Sequence, residues 1–353
     1  MVIIGVDAHK RMHAAVAVDA DGMILSEWKG PNTASGWHAL CTWATAFPTP
    51  RQWGIEGAWN YGRGLAQHLV AQGEPVYEVN PRWTAQRRRR ARKQGKSDRL
   101  DAHAVAQLVR EEGPTLPQIP ADDETAVLDL LTTEREAALA EATRLRNHLH
   151  QLLLQTLPNY RDYLPRLTSE AGLCAAETFE GVDQSALQQQ RAAAIRRTAQ
   201  RLRLVLQQAE ALGDEIRSLA ASHFTPLTKL CGVQLLTAGA LAGILGPGQR
   251  FTSEAQLAMY AGVAPLEASS AGAIRHRLNR GGNRRLNAIL YRIALAQARA
   301  SDDARAYLAR RRTEGKSWRE AMRALKRHLI RAIWQLWQQC LAQYGEERVA
   351  AAA

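Results

Sequence analysis

The chain has 353 residues, 46% hydrophobic and 23% charged, which excludes a miniprotein or a mainly disordered chain and suggests two domains, at about 150 residues each, with a spacer. Lys and Arg number 46 against 34 Asp and Glu, a formal charge of +12, so a polyanionic partner is expected, nucleic acid or a membrane surface. Cys41, Cys174, Cys231 and Cys340 lie far apart without a CxxC pair, which argues against a zinc cage or disulfide framework and for a reducing compartment.

Residues 1–10 lack the basic leader and long apolar core of a signal peptide, so the mature chain is expected to start here. Residues 2–6 and 13–18 are apolar and rich in β-branched side chains, and 23–28 is a third strand candidate after the turn-like Asp19-Ala20-Asp21-Gly22. They predict a meander. Helical spacing over 35–46, a short strand at 52–56, a helix over 62–72 and a strand at 75–79 make the first 110 or so residues mixed α/β. Residues 82–99 form a basic block in which only Asp98 is acidic, and 113–120 holds three prolines and a glycine, a domain boundary.

Beyond it, 125–156 and 184–222 carry apolar residues three and four apart and predict two long amphipathic helices, a helical hairpin or coiled-coil spacer. The intervening 157–183 has no clear assignment. Residues 231–249 are uncharged and place Gly239 and Gly243 at GxxxG spacing, but their glycines, Pro247 and two glutamines favour buried helices over a membrane span. Two more helices are expected at 284–300 and 317–344. The stretch from Leu230-Cys-Gly to Tyr260-Ala-Gly-Val resembles a helix-hairpin-helix, whose glycine turns let backbone amides approach phosphates.

Asp7 ends the first strand, Glu56 ends Trp-Gly-Ile-Glu, and Asp98 and Asp101 sit three apart on a helix, facing the same way. Four converging carboxylates would suit Mg²⁺, a hard cation held by a few oxygens beside substrate phosphates, and hence phosphoryl transfer. The plainer reading makes Asp7 and Glu56 turn residues and lets Asp98 and Asp101 cap or neutralise the basic block. Arg87, Arg88, Arg89, Arg90, Arg92, Lys93 and Lys96 repel one another and need counter-anions, which nucleic-acid phosphate would supply; a solvated basic segment is the alternative. Trp59 and Trp83 are either base-stacking platforms or partly buried core. A second basic cluster, Arg275, Arg277, Arg280, Arg284 and Arg285, surrounds a Gly-Gly pair just after Ser269 and Ser270. A serine there could attack a phosphodiester, or cap a helix. Residues 305–331 carry ten Lys or Arg against Glu314 and Glu320 and predict a helical phosphate-contacting face.

Taken together, Ile-Gly-Val-Asp7, Ile-Glu56-Gly-Ala, Lys96-Ser-Asp98-Arg-Leu-Asp101-Ala and Ala261-Gly-Val-Ala-Pro265 with Ser269-Ser270 resemble the DEDD transposases of bacterial insertion sequences, the bridge-RNA-guided serine recombinases. The resemblance spans nearly the whole chain in order. It implies an α/β plus all-α protein: an RNase H-like (RuvC-like) domain over 1–115, a helical coiled-coil spacer over 121–222, and a mainly helical C-terminal transposase domain over 225–345. It implies that Asp7, Glu56, Asp98 and Asp101 bind Mg²⁺ and that Ser270 forms a covalent 5′-phosphoserine link to DNA. Ala271 stands where the family pattern has glycine, which leaves Ser269 as the alternative nucleophile. The implied partners are donor and target DNA, a structured bridge RNA and further copies of the chain, from dimer to tetramer, in the cytoplasm at the nucleoid and with no membrane. Two other readings compete: a metal-dependent junction nuclease that uses water, and a non-enzymatic nucleic-acid-binding protein.

Overall fold

The computed structural model describes residues 1–81, 83–84, 97–183, 185–246, 250–267, 276–279 and 281–352. The chain divides into two compact units, Met1–Ala126 with Phe224–Gln234 and Ile244–Ala353, and Val127–His223 with Leu235–Gly243. Among the described residues no helix is long and apolar enough to cross a membrane.

The first unit opens with β1 (Val2–Ala8), β2 (Met12–Val18) and β3 (Ile24–Pro31), the expected meander. Then come α1 (Ala34–Ala44), β4 (Arg51–Glu56), α2 (Arg63–Ala71), β5 (Val76–Val79) and α3 (Asp98–Glu112). Sheet order is β3-β2-β1-β4-β5; β1 and β3 flank β2 antiparallel, while β4 runs parallel to both β1 and β5. This is an RNase H-like arrangement. Every residue of β1 is buried, because a central strand covered on both faces reads as a continuous apolar run. The period of two then sorts its side chains. Val2, Ile4 and Val6 pack with Leu40, Leu65 and Leu69 beneath α1 and α2, whereas Ile3 packs with Val105 and Val109 of α3.

Gly5 shares the Ile3 face, and there α3 comes within backbone contact. A Cβ on Gly5 would lie 2.2 Å from the Ala102 carbonyl oxygen and 2.3 Å from the Ala106 nitrogen. Gly54, opposite Gly5 on β4, does the same job further along, its Cβ position lying 2.4 Å from Val109 Cγ2. Two small residues therefore seat α3 directly on the sheet.

The second unit is built on α4 (Glu124–Thr156) and α6 (Ala186–His223), helices of 33 and 38 residues. Residues 157–183 supply a 3-10 turn and α5 (Glu170–Glu177). Leu173 and Ala176 of α5 share a core with Leu149 and Leu153 of α4 and with Ile195 and Leu202 of α6. Arg203 holds α5 to α6 through Glu177, at 2.6 Å, and Glu170. Gly239 and Gly243, on α7 (Leu235–Leu245), serve helix packing: a Cβ on Gly243 would meet the Asp129 nitrogen of α4 at 2.6 Å.

The first unit resumes with α8 (Glu254–Tyr260), the two-residue strands β6 (Leu266–Glu267) and β7 (His276–Arg277), α9 (Arg284–Ala300), α10 (Asp302–Thr313) and α11 (Trp318–Ala352). Helix α10 begins the stretch expected to form a helical face and is fenced by the Ser301 cap and by Gly315 at φ +82°. The glycine turns of the hairpin-like stretch face the protein. Gly232 abuts Ala296 of α9, and Gly262 crosses Gly282, whose Cβ would lie 2.3 Å from the Gly262 Cα.

Candidate active site

Asp7 lies on the same face of β1 as Ile3 and Gly5, the face that α3 covers, and is 5% exposed. Its register partner on β4 is Glu56, and in-register neighbours on parallel strands project from the same face. Ser97 caps α3 by accepting the Leu100 N–H at 3.3 Å. Asp98 and Asp101 occupy the first helical turn, where carboxylates complement the helix dipole. Because α3 is seated on Gly5, its first turn comes to the end of β1 that carries Asp7. Both Asp98 and Asp101 act electrostatically on Asp7, pushing its pKa up in addition to the larger effect of burial, while His9 opposes them.

His9 is the neighbour that the sequence reading missed. Its Nε2 lies 3.0 Å from Asp7 Oδ2 and 3.5 Å from Asp98 Oδ1. Metal-ligating atoms of Asp7, His9 and Asp98 all fall within 4.8 Å of one another. Lys29, also missed, reaches over from β3 to donate to Asp98 Oδ2 at 2.7 Å, and this bond holds the Asp98 carboxyl below its usual range. Among the described residues the counter-ions of Asp98 are Lys29 and His9; the basic block it was expected to neutralise lies outside them. Glu56 accepts from Thr84 Oγ1 at 3.1 Å. Among the described residues, buried Asp7 Oδ2 accepts no well-directed hydrogen bond, despite its closeness to His9. An under-satisfied buried carboxylate oxygen beside other carboxylates and an imidazole is a donor set that fits a divalent cation.

Other expectations land differently. Trp59 is engaged within the protein: its Nε1 donates to Glu78 at 2.9 Å and the Arg250 guanidinium lies 4.5 Å from its ring centroid. Trp83 packs on the core beneath α3. Both are partly buried against the core. In 305–331, Arg305 pairs with Asp302, Arg311 with Glu314 at 2.7 Å, and Arg327 with Glu254. The stretch is thus a partly salt-bridged face, and two of these acids, Asp302 and Glu254, come from outside it. Arg284 and Arg285 open α9, capped by Asn283. Ser269, Ser270, Arg275, Arg280 and the block Arg87 to Lys96 lie outside the described residues, as does the side chain of Arg277.

Residues 4–158 match a family described as DEDD transposase of the IS110 type, and residues 225–309 match the transposase family of IS116, IS110 and IS902. The protein of insertion element IS110 from Streptomyces coelicolor is 29% identical over 69% of this chain and 71% of its own length. That of IS116 from Streptomyces clavuligerus is 26% identical over 94% of each. Among solved structures, T. thermophilus RuvC in complex with Holliday junction substrate covers 34% of this chain and 99% of its own, with 15% identity and a TM-score of 0.28. With both family matches falling in chain order and the acidic residues assembled on an RNase H-like sheet, the chain belongs to the IS110 family of insertion-sequence DEDD transposases.

Proposed function

We propose that this transposase excises, circularises and inserts its element by serine attack on DNA, with Asp7, Glu56, Asp98 and Asp101 forming a site for Mg²⁺. The observation that carries the reading is the register of Asp7 with Glu56 together with the seating of the first turn of α3 beside Asp7. Ser270, or Ser269, supplies the nucleophile. Its Oγ bonds to phosphorus, the bond from phosphorus to the 3′ oxygen breaks, and that oxygen departs as a hydroxyl after gaining a proton. Reversal of the step rejoins strands without ATP. Bound Mg²⁺ contributes Lewis acidity toward the departing oxygen. His9, whose Nε2 lies 3.0 Å from Asp7 Oδ2 and 3.5 Å from Asp98 Oδ1, orients both carboxylates.

In this reading 1–115 is the acidic catalytic domain, 121–222 a coiled-coil spacer and 225–345 the serine-bearing domain. The acids of one subunit act with the serine of another in a dimer or tetramer, in the cytoplasm at the nucleoid. A structured RNA selects donor and target DNA, which the +12 charge supports, since the protein then needs backbone neutralisation more than base readout.

A denaturing gel of protein incubated with element-end DNA tests the chemistry. The expected result is a protein-linked DNA band that Ser270→Ala abolishes. Full recombination by the Ser269→Ala, Ser270→Ala double variant rejects the nucleophile, and free 5′-phosphate ends with no adduct favour the water-using nuclease. Degrading the bound RNA should remove target choice; unchanged choice rejects guidance.

A further inference from the structure

Two adjoining cavities of about 760 and 690 Å³ lie among the C-terminal helices of the first unit and share Gly262, Asn279, Asn287 and Lys326. Lys326 is 8% exposed. Its ammonium donates to Asn287 Oδ1 at 2.8 Å, and Asn287 in turn donates to the Ala261 carbonyl at 2.8 Å. Among the described residues no carboxylate forms an ion pair with it. The charge that acts on it is a second cation, Arg323, which together with the larger effect of burial lowers its pKa. A buried cation without a counter-charge is costly.

The rest of the lining deepens the imbalance. Arg311 and Arg327 are already matched by Glu314 and Glu254, and Glu320 accepts hydrogen bonds from Ser317 and lies 4.0 Å from Arg323. The wall of the larger cavity includes Arg284 and Asn287 in the opening turns of α9, whose first turn has no acid. Helix dipoles favour anions at that end, so a cation there weakens the helix unless an anion sits beside it. Pro265 and Leu278, on the wall of the smaller cavity, adjoin β6 and β7, and the sequence between those strands bears Ser270.

We infer that this trough binds a phosphodiester of the DNA strand, with the Lys326 ammonium, oriented by Asn287, donating to a non-bridging oxygen and Arg284 contributing the second charge. The inference rests on the proposed strand transfer and adds to it the seat for the strand's backbone.

Fluorescence anisotropy with a labelled single-stranded DNA of the element end, full-length protein and EDTA tests it without chemistry. Lys326→Met is expected to bind about tenfold more weakly and to lower the salt slope by about 0.7. Its unfolding midpoint without DNA should be unchanged or higher, because a buried charge is removed. Arg284→Gln should lose about fivefold, whereas Arg319→Gln, an exposed charge on the same helix as Lys326, should lose about twofold or less. Binding by Lys326→Met within about twofold of the parent overturns the site. So does an equal loss in Arg319→Gln, which would mean diffuse charge alone, or a loss seen with RNA of the same sequence and absent with DNA. If Lys326→Met unfolds, Arg284→Gln decides. Since no cleavage is read, failure of the serine chemistry shows only in the adduct gel and leaves this measurement standing.

Discussion

The acidic end of the sheet and the basic helices α10 and α11 differ in where their counter-charges originate. At the sheet, carboxylates of β1 and α3 gather, and a lysine from β3 and a histidine just past β1 partly offset them. On the basic helices, arginines outnumber acids locally, yet Asp302, Glu314 and the distant Glu254 pair with several of them. Charge counted along a sequence window therefore measures free charge poorly. What such a count misses, among the described residues, is a buried cation with no carboxylate paired to it, as for Lys326, or a buried oxygen poorly satisfied, as for Asp7.

The largest expected effect breaks or upholds the acidic half of this contrast. Asp7→Asn should cut DNA cleavage by more than about 100-fold, beyond the loss typical of outer metal partners. Burial pushes the Asp7 carboxyl up, so below its unfolded pKa the group favours folding, and this contribution is lost as pH rises through the folded value. At neutral pH without divalent cation the Asn variant should accordingly melt slightly higher; undiminished cleavage would remove the carboxylate from the mechanism. His9→Ala should weaken divalent-cation binding about tenfold by calorimetry, and unchanged affinity would confine His9 to a structural role.

Gly5→Ala tests the seating of α3. The added methyl meets backbone on both sides, so urea unfolding should show a loss of about 1–3 kcal/mol, with cleavage impaired as well. Retained stability and activity would show that α3 can shift without moving its carboxylates. Glu254→Gln releases Arg327 and should cost about 1 kcal/mol in thermal unfolding, as expected of a half-buried charge-assisted pair; no change would return those arginines to the solvated class. The smallest effect is alkaline. The Tyr260 hydroxyl, enclosed and pushed up to about 12, stays protonated in the fold while the unfolded chain ionises near 10. Stability should thus fall between about pH 10 and 12, and Tyr260→Phe should flatten that fall.

Much of the site was legible because its acids sit where the pattern changes. Asp7 and Glu56 close apolar strands, and Asp98 and Asp101 follow a capping serine with helical spacing. His9 and Lys29 were not legible: each reaches the carboxylates through sheet pairing or a chain reversal, which a linear window does not show. Trp59 misled for the same reason, since Glu78 and Arg250 engage it from far along the chain. In 157–183, prolines and glycines obscured a helix whose apolar face is matched only by its two long neighbours.

Arg250 donates to Glu78 at 3.1 Å and to the Tyr260 hydroxyl at 2.7 Å, while Asn283 donates to that hydroxyl at 2.8 Å. Glu78 and Arg250 are 172 positions apart. During synthesis the sheet can leave the ribosome and close its own core well before its distant arginine exists. Until then Glu78 must be satisfied by water and by Trp59. Completion of the first unit therefore awaits translation of nearly the whole chain, and a product truncated before Arg250 would carry its acids without the late-arriving clasp.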